Sequence, residues 1–110
     1  SYLVGSVGGT DSLYVEVYNS AGTLVKTSTK AIVGTAQQIQ SCPFGTTYAA
    51  TAGKYYIALQ FNGNTARFMT HSVTGSKFVT GSATGTFGLT AAFTAGTTYS
   101  VDKGPFIATY

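Results

Sequence analysis

Charge is what this chain has least of. Three acidic and six basic residues make 8% of 110, against roughly 25% in an average soluble protein. Asp11, Glu16 and Asp102 are the only carboxylates. A glycosidase needs two of them held about 5 to 9.5 Å apart. Glu16 already has a role opposite a lysine, and Asp at strand ends is turn chemistry. The single histidine, His71, and single cysteine, Cys42, fall short of the three or four ligands that zinc wants. A lone cysteine also rules out an internal disulfide. No serine stands in a G-x-S-x-G elbow, and there is no Walker sequence, dinucleotide fingerprint or EF-hand loop. These missing parts argue against an enzyme; no catalytic residue, cofactor or metal is expected.

Other shortages narrow the partners. The basic residues Lys26, Lys30, Lys54, Arg67, Lys77 and Lys103 are scattered rather than gathered into the stripe that nucleic-acid binding uses, so no nucleic-acid partner is expected. No apolar run approaches the roughly 20 residues that span a bilayer, so no membrane insertion is expected. No basic-then-apolar leader opens the sequence, and a place within a longer chain stays open.

What is present is apolar and aromatic: 44% hydrophobic, eight tyrosines, seven phenylalanines and no tryptophan on a Gly- and Thr-rich framework. A chain this apolar offsets its ordering entropy, so disorder is not the reading. Its length suits one domain over 1–110. Glycine recurs too often for long helices, and short alternating runs between turn signals dominate. In "SLYVEVYN", Leu13, Val15 and Val17 share one face, and Tyr14, Glu16 and Tyr18 the other. A three-residue loop with Gly22 left-handed leads into "TLVKTS", setting Val17 opposite Val25 and Glu16 opposite Lys26. "AIV" should finish a strand, "QQIQSCPF" suits a short one, and "GTTYAATAG" reads as a loop. "VTGS" at 73–76 and 79–82 marks turns around a short strand, and "TFGLTAAF" alternates again.

The stretch "GKYYIALQFNGNTARFMTH" carries an Asn-Gly step between alternating runs, the strongest short-range hairpin signal. Turning at Asn62-Gly63 sets Phe61 opposite Asn64, Leu59 opposite Ala66 and Ile57 opposite Phe68. Tyr55, Ile57, Leu59, Phe61, Ala66 and Phe68 then face the core. Tyr56, Gln60, Arg67, Met69 and His71 lie on the other side, a flat, mixed face of interface-type residues. They are the candidate contact or ligand residues. The whole pattern predicts an all-β fold, an antiparallel β-sandwich of jelly-roll type, with a small β-barrel as the alternative.

"AGKYYIALQFNGNTARF", then "TGSATGTFG" and a closing "GPFIATY", is similar to small β-sandwich domains of tailed-bacteriophage virion proteins, of tail-fibre, baseplate or head-decoration type. The likeness spans about Ala49 to Tyr110. "LYVEVYNSAGTLVKTS" resembles the "lyd-x-x-G-x-x-v" hairpin of jelly-roll carbohydrate-binding and pre-peptidase domains. The phage group shares no catalytic signature, so no site residue is carried over. The resemblance implies a non-enzymatic, oligomeric virion part assembled in a bacterial cytoplasm, with other virion proteins or its own copies as partners. The alternative it leaves is a receptor module for bacterial surface glycans.

Overall fold

A computed structural model describes residues 1–5, 9–30, 34–72, 86–88, 103–105 and 107. The described residues are all-β, without a helix. Seven strands are present among them: β1 (Tyr2–Leu3), β2 (Leu13–Asn19), β3 (Leu24–Lys30), β4 (Ile39–Gln40), β5 (Tyr55–Phe61), β6 (Thr70–Ser72) and β7 (Lys103–Pro105). The largest unit is an antiparallel sheet in the order β3-β2-β5. Two short antiparallel pairs, β1-β4 and β6-β7, accompany it.

The β2–β3 hairpin forms as its alternation predicts, with Gly22 left-handed at φ 79°. Asn19 holds the loop: its Oδ1 accepts from the amides of Ala21 and Thr23, both at 3.0 Å. The expected register holds only at the turn, where Tyr18 faces Leu24. Beyond it a β-bulge leaves Val25 without a partner and moves the ladder one residue, so Val17 faces Lys26 and Glu16 faces Thr27. The expected Val17–Val25 and Glu16–Lys26 pairs are therefore corrected. A bulge places two residues opposite one and sharpens the local twist.

The second hairpin is not there. β5 runs antiparallel along β2, with Leu13 opposite Phe61, Val15 opposite Leu59 and Val17 opposite Ile57. The chain after β5 leaves the sheet and meets the N-terminal segment instead: Phe68 bridges Val4, and the Gly5 amide donates to the Arg67 carbonyl at 2.7 Å. Positive φ occurs at Gly22, Gly34, Gly88, Gln37 and Gly9 among the described residues, and not at Asn62 or Gly63, so the backbone there is no type I′ turn.

The core lies on the face of the sheet that parity assigns to it. Leu13 and Val15 pack with Tyr2, Val4 and Ala66, bordered by Cys42, Phe44, Leu59, Phe61 and Ile107. Val4 and Leu13 are wholly buried, each stabilising the fold by about 1.5–3 kcal/mol. Phe61 and Phe68 stack at 6.0 Å and 22°. They meet as core partners although their segments do not pair. Ile57, also expected inside, is 36% exposed on the edge strand. The "AIV" segment, both "VTGS" copies and "LTAAF" lie outside the described residues. Near the C-terminal end, β7 pairs β6, and Ile107 bridges Tyr2.

Candidate contact site

The five residues expected on one flat hairpin face are dispersed. Tyr56 and Gln60 stand on β5, opposite Tyr18 and Tyr14 of β2. Their face of the sheet is covered by the chain itself. The Phe87 ring meets Tyr14 edge-on at 6.1 Å, and the Gly88 amide donates to Gln60 Oε1 at 3.0 Å. Tyr18 and Glu16, in the middle of that face, are 3% and 7% exposed. Arg67 is exposed on a different segment, where its Nη1 donates to the carbonyls of Asn64 and Ala66. Met69 is half-buried beside it, and His71 pairs with Gly104 between β6 and β7. Tyr56 and Gln60 thus lie on the three-stranded sheet, Arg67 and Met69 on the segment between strands, and His71 on the β6-β7 pair.

Burial on this inner face has electrostatic consequences. The Tyr18 hydroxyl donates to the Glu16 carboxylate, and burial together with that acceptor pushes its pKa from 10.0 up to about 12. Glu16 Oε1 is buried without a hydrogen-bond partner among the described residues. On the opposite face, burial and then the neighbouring Cys42 push Tyr2 to about 12. Cys42 donates weakly to Ser28 Oγ at 3.4 Å and borders the core. Beside it a cavity of about 30 Å³ lies between Tyr2, Val15, Val17 and Ile57, room for little more than water.

A polar clasp that sequence reasoning did not single out closes the end of the sheet. Asp11 Oδ2 accepts from the amides of Thr65 at 3.0 Å and Ala66 at 2.8 Å. The neighbouring Ser12 and Asn62 pair twice: the Ser12 amide donates to Asn62 Oδ1 at 2.7 Å, and the Asn62 amide to the Ser12 carbonyl at 3.2 Å. Asp11 thus makes a long-range tie across the fold, in place of the local turn chemistry expected of an Asp before a strand. The signal available in the sequence was the pairing of two turn motifs, "TDS" and "FNGN", each next to an apolar run.

The open surface is elsewhere. Residues 45–54 are exposed throughout and carry one charge, on Lys54. Within them Tyr48 contacts the Tyr55 ring edge-on at 6.2 Å, and the Tyr55 hydroxyl donates to the Thr51 carbonyl at 3.1 Å. Where this loop begins, Gly45 and Thr46 face Leu24, Val25, Lys26 and Thr27 of β3 across an open groove of about 430 Å³. Lys26 Nζ donates to Thr46 Oγ1 across it, and Ser28 Oγ to the Pro43 carbonyl at 2.5 Å. Ile39, at 66% exposed, and Ile57 are the other large apolar side chains at the surface among the described residues. No three His, Cys, Asp or Glu side chains gather among the described residues. Comparison with family models, curated proteins and solved structures finds no match.

Proposed function

We infer that this chain is a non-enzymatic structural or decoration domain of a bacteriophage particle, an antiparallel jelly-roll sandwich that contacts other virion proteins or its own copies. The observation that carries this reading is the exposed, nearly uncharged stretch 45–54 with Tyr48 on its surface. Interface cores are depleted in charge and enriched in Tyr. Such a stretch loses little by leaving water. The strand order is compatible with the sandwich: β5 returns by a long connection to lie beside β2, on the side away from β3, while the intervening β4 pairs with β1. Since the chain covers the Tyr56–Gln60 face itself, contacts fall to the loop, Ile39 and Ile57 rather than to that sheet face. A stable contact there would bury roughly 800 Å² per partner.

A glycan-binding receptor module is the second reading, favoured by the Tyr48–Tyr55 pair in a Thr-rich loop. Against it, the groove beside β3 has no aromatic among the described residues that line it. Direct binding of the folded chain to a panel of bacterial surface polysaccharides separates the two. A blank, with Tyr48→Glu abolishing incorporation of the folded chain into particles, is the expected result. Saturable binding that Tyr48→Ala weakens would establish the glycan module and remove the structural reading.

A further inference from the structure

We propose that Asn62–Gly63 is a self-modification site at which the folded chain forms a succinimide. Asn62 is the one asparagine of three followed by glycine; Asn19 precedes Ser20, and Asn64 precedes Thr65. Residues 62 to 64 are exposed, so water reaches the site and ammonia can leave. Each half of the dipeptide is required by the fold for a separate reason. The asparagine supplies the side-chain oxygen that takes the Ser12 amide at 2.7 Å. The glycine is required because a Cβ at position 63 would stand 2.4 Å from Asp11 Oδ1. The clasp therefore keeps the least hindered backbone amide next to an amide side chain.

The chemistry needs no outside reagent but water. The Gly63 nitrogen, deprotonated by solvent base, attacks Asn62 Cγ, and a C–N bond forms. Charge builds on Oδ1, where the Ser12 N–H already donates; a fixed donor aimed at a developing oxyanion lowers the barrier to such an addition. The Cγ–NH2 bond then breaks, ammonia leaves with a proton from solvent, and a five-membered succinimide remains. Water opens it at either carbonyl, giving aspartate or isoaspartate. The isoaspartyl form inserts a methylene into the main chain and breaks the paired Ser12–Asn62 contact, so modification loosens the clasp. It also adds a negative charge beside Asp11.

Mass analysis of peptides from the full-length folded chain, aged in mildly alkaline buffer, tests this. The control is a synthetic peptide of residues 58–68 aged alongside. The expected result is conversion at Asn62 at least as fast as in the peptide, with Asn19 and Asn64 lagging clearly behind, because the attacking amides there belong to Ser20 and Thr65, whose side chains hinder them. Donors on the side-chain oxygen do not set them apart, since Asn19 Oδ1 also accepts two amides. Slower conversion in the folded chain than in the peptide would overturn the proposal, because the clasp would then shield the site. Asn62→Gln gives a second reading: it keeps the amide oxygen but needs a larger ring, so modification at position 62 should vanish while Asn64 is unchanged. Ammonia release that persists unaltered in that variant would place the reaction elsewhere and overturn the assignment.

Discussion

Asp11 shows how one side chain can decide where a loop goes. Its carboxylate satisfies two backbone amides, of Thr65 and the buried Ala66, that have left the β-ladder. Removing an acceptor from such groups costs the desolvation of the donors left behind. Asp11→Ala should lower unfolding stability by about 1–3 kcal/mol, read from the urea midpoint. Gly63→Ala should cost a similar amount, about 1–3 kcal/mol, because the carboxylate it meets is held by those two bonds and cannot swing aside. The two are coupled through one contact: with Asp11→Ala in place, Gly63→Ala should cost markedly less than alone. Additive losses would show that Gly63 is constrained by something other than Asp11.

The elements show which sequence signals carry and which mislead. Side-chain parity is robust, since direction along a strand alternates whatever the partner. Leu13, Val15, Leu59, Phe61, Ala66 and Phe68 accordingly reach or border the core, or stack against it, as their spacing predicts. Partner choice is not encoded in that alternation. The apolar face of β5 fits β2 as well as it fits residues 64–68, and Asn-Gly pointed to the nearer partner. Here Asn62 is used for its side-chain oxygen and Gly63 for its missing Cβ, neither of which a turn preference records. The candidate set of Tyr56, Gln60, Arg67, Met69 and His71 rested on that pairing, and so it separates in space. The bulge at Val25 was hidden for a related reason: one extra residue is invisible in a polar strand such as "KTSTK". In a Cys42→Ser background, paired cysteines at 17 and 26 should form a disulfide readily, and those at 17 and 25 should not, since Cβ vectors that point apart cannot be bridged. Efficient closure of the 17–25 pair would restore the unbulged register.

Over the whole molecule, the central strand β2 is buried on both sides, and this governs both stability and surface. Tyr2 on one face and Tyr18 on the other are held neutral, with pKa values up from 10.0 to about 12. A tyrosine whose folded pKa exceeds its unfolded value binds its proton more tightly when folded. Its contribution is complete below the unfolded pKa and is lost as pH rises through the folded one. Stability should therefore be unaffected by these two groups below pH 10.0 and fall between there and about pH 12. Tyr18→Phe should flatten part of that decline, as followed by denaturant midpoint against pH. Loop 45–54, Ile39 and Ile57 stay exposed among the described residues. The sheet order on which this rests is decided most directly by cross-strand backbone contacts of Leu59 in nuclear Overhauser spectra. Contacts from Leu59 to Val15 are predicted. Contacts from Leu59 to Ala66 instead would restore the hairpin, reunite Tyr56, Gln60 and Arg67 on one face, and contradict the account.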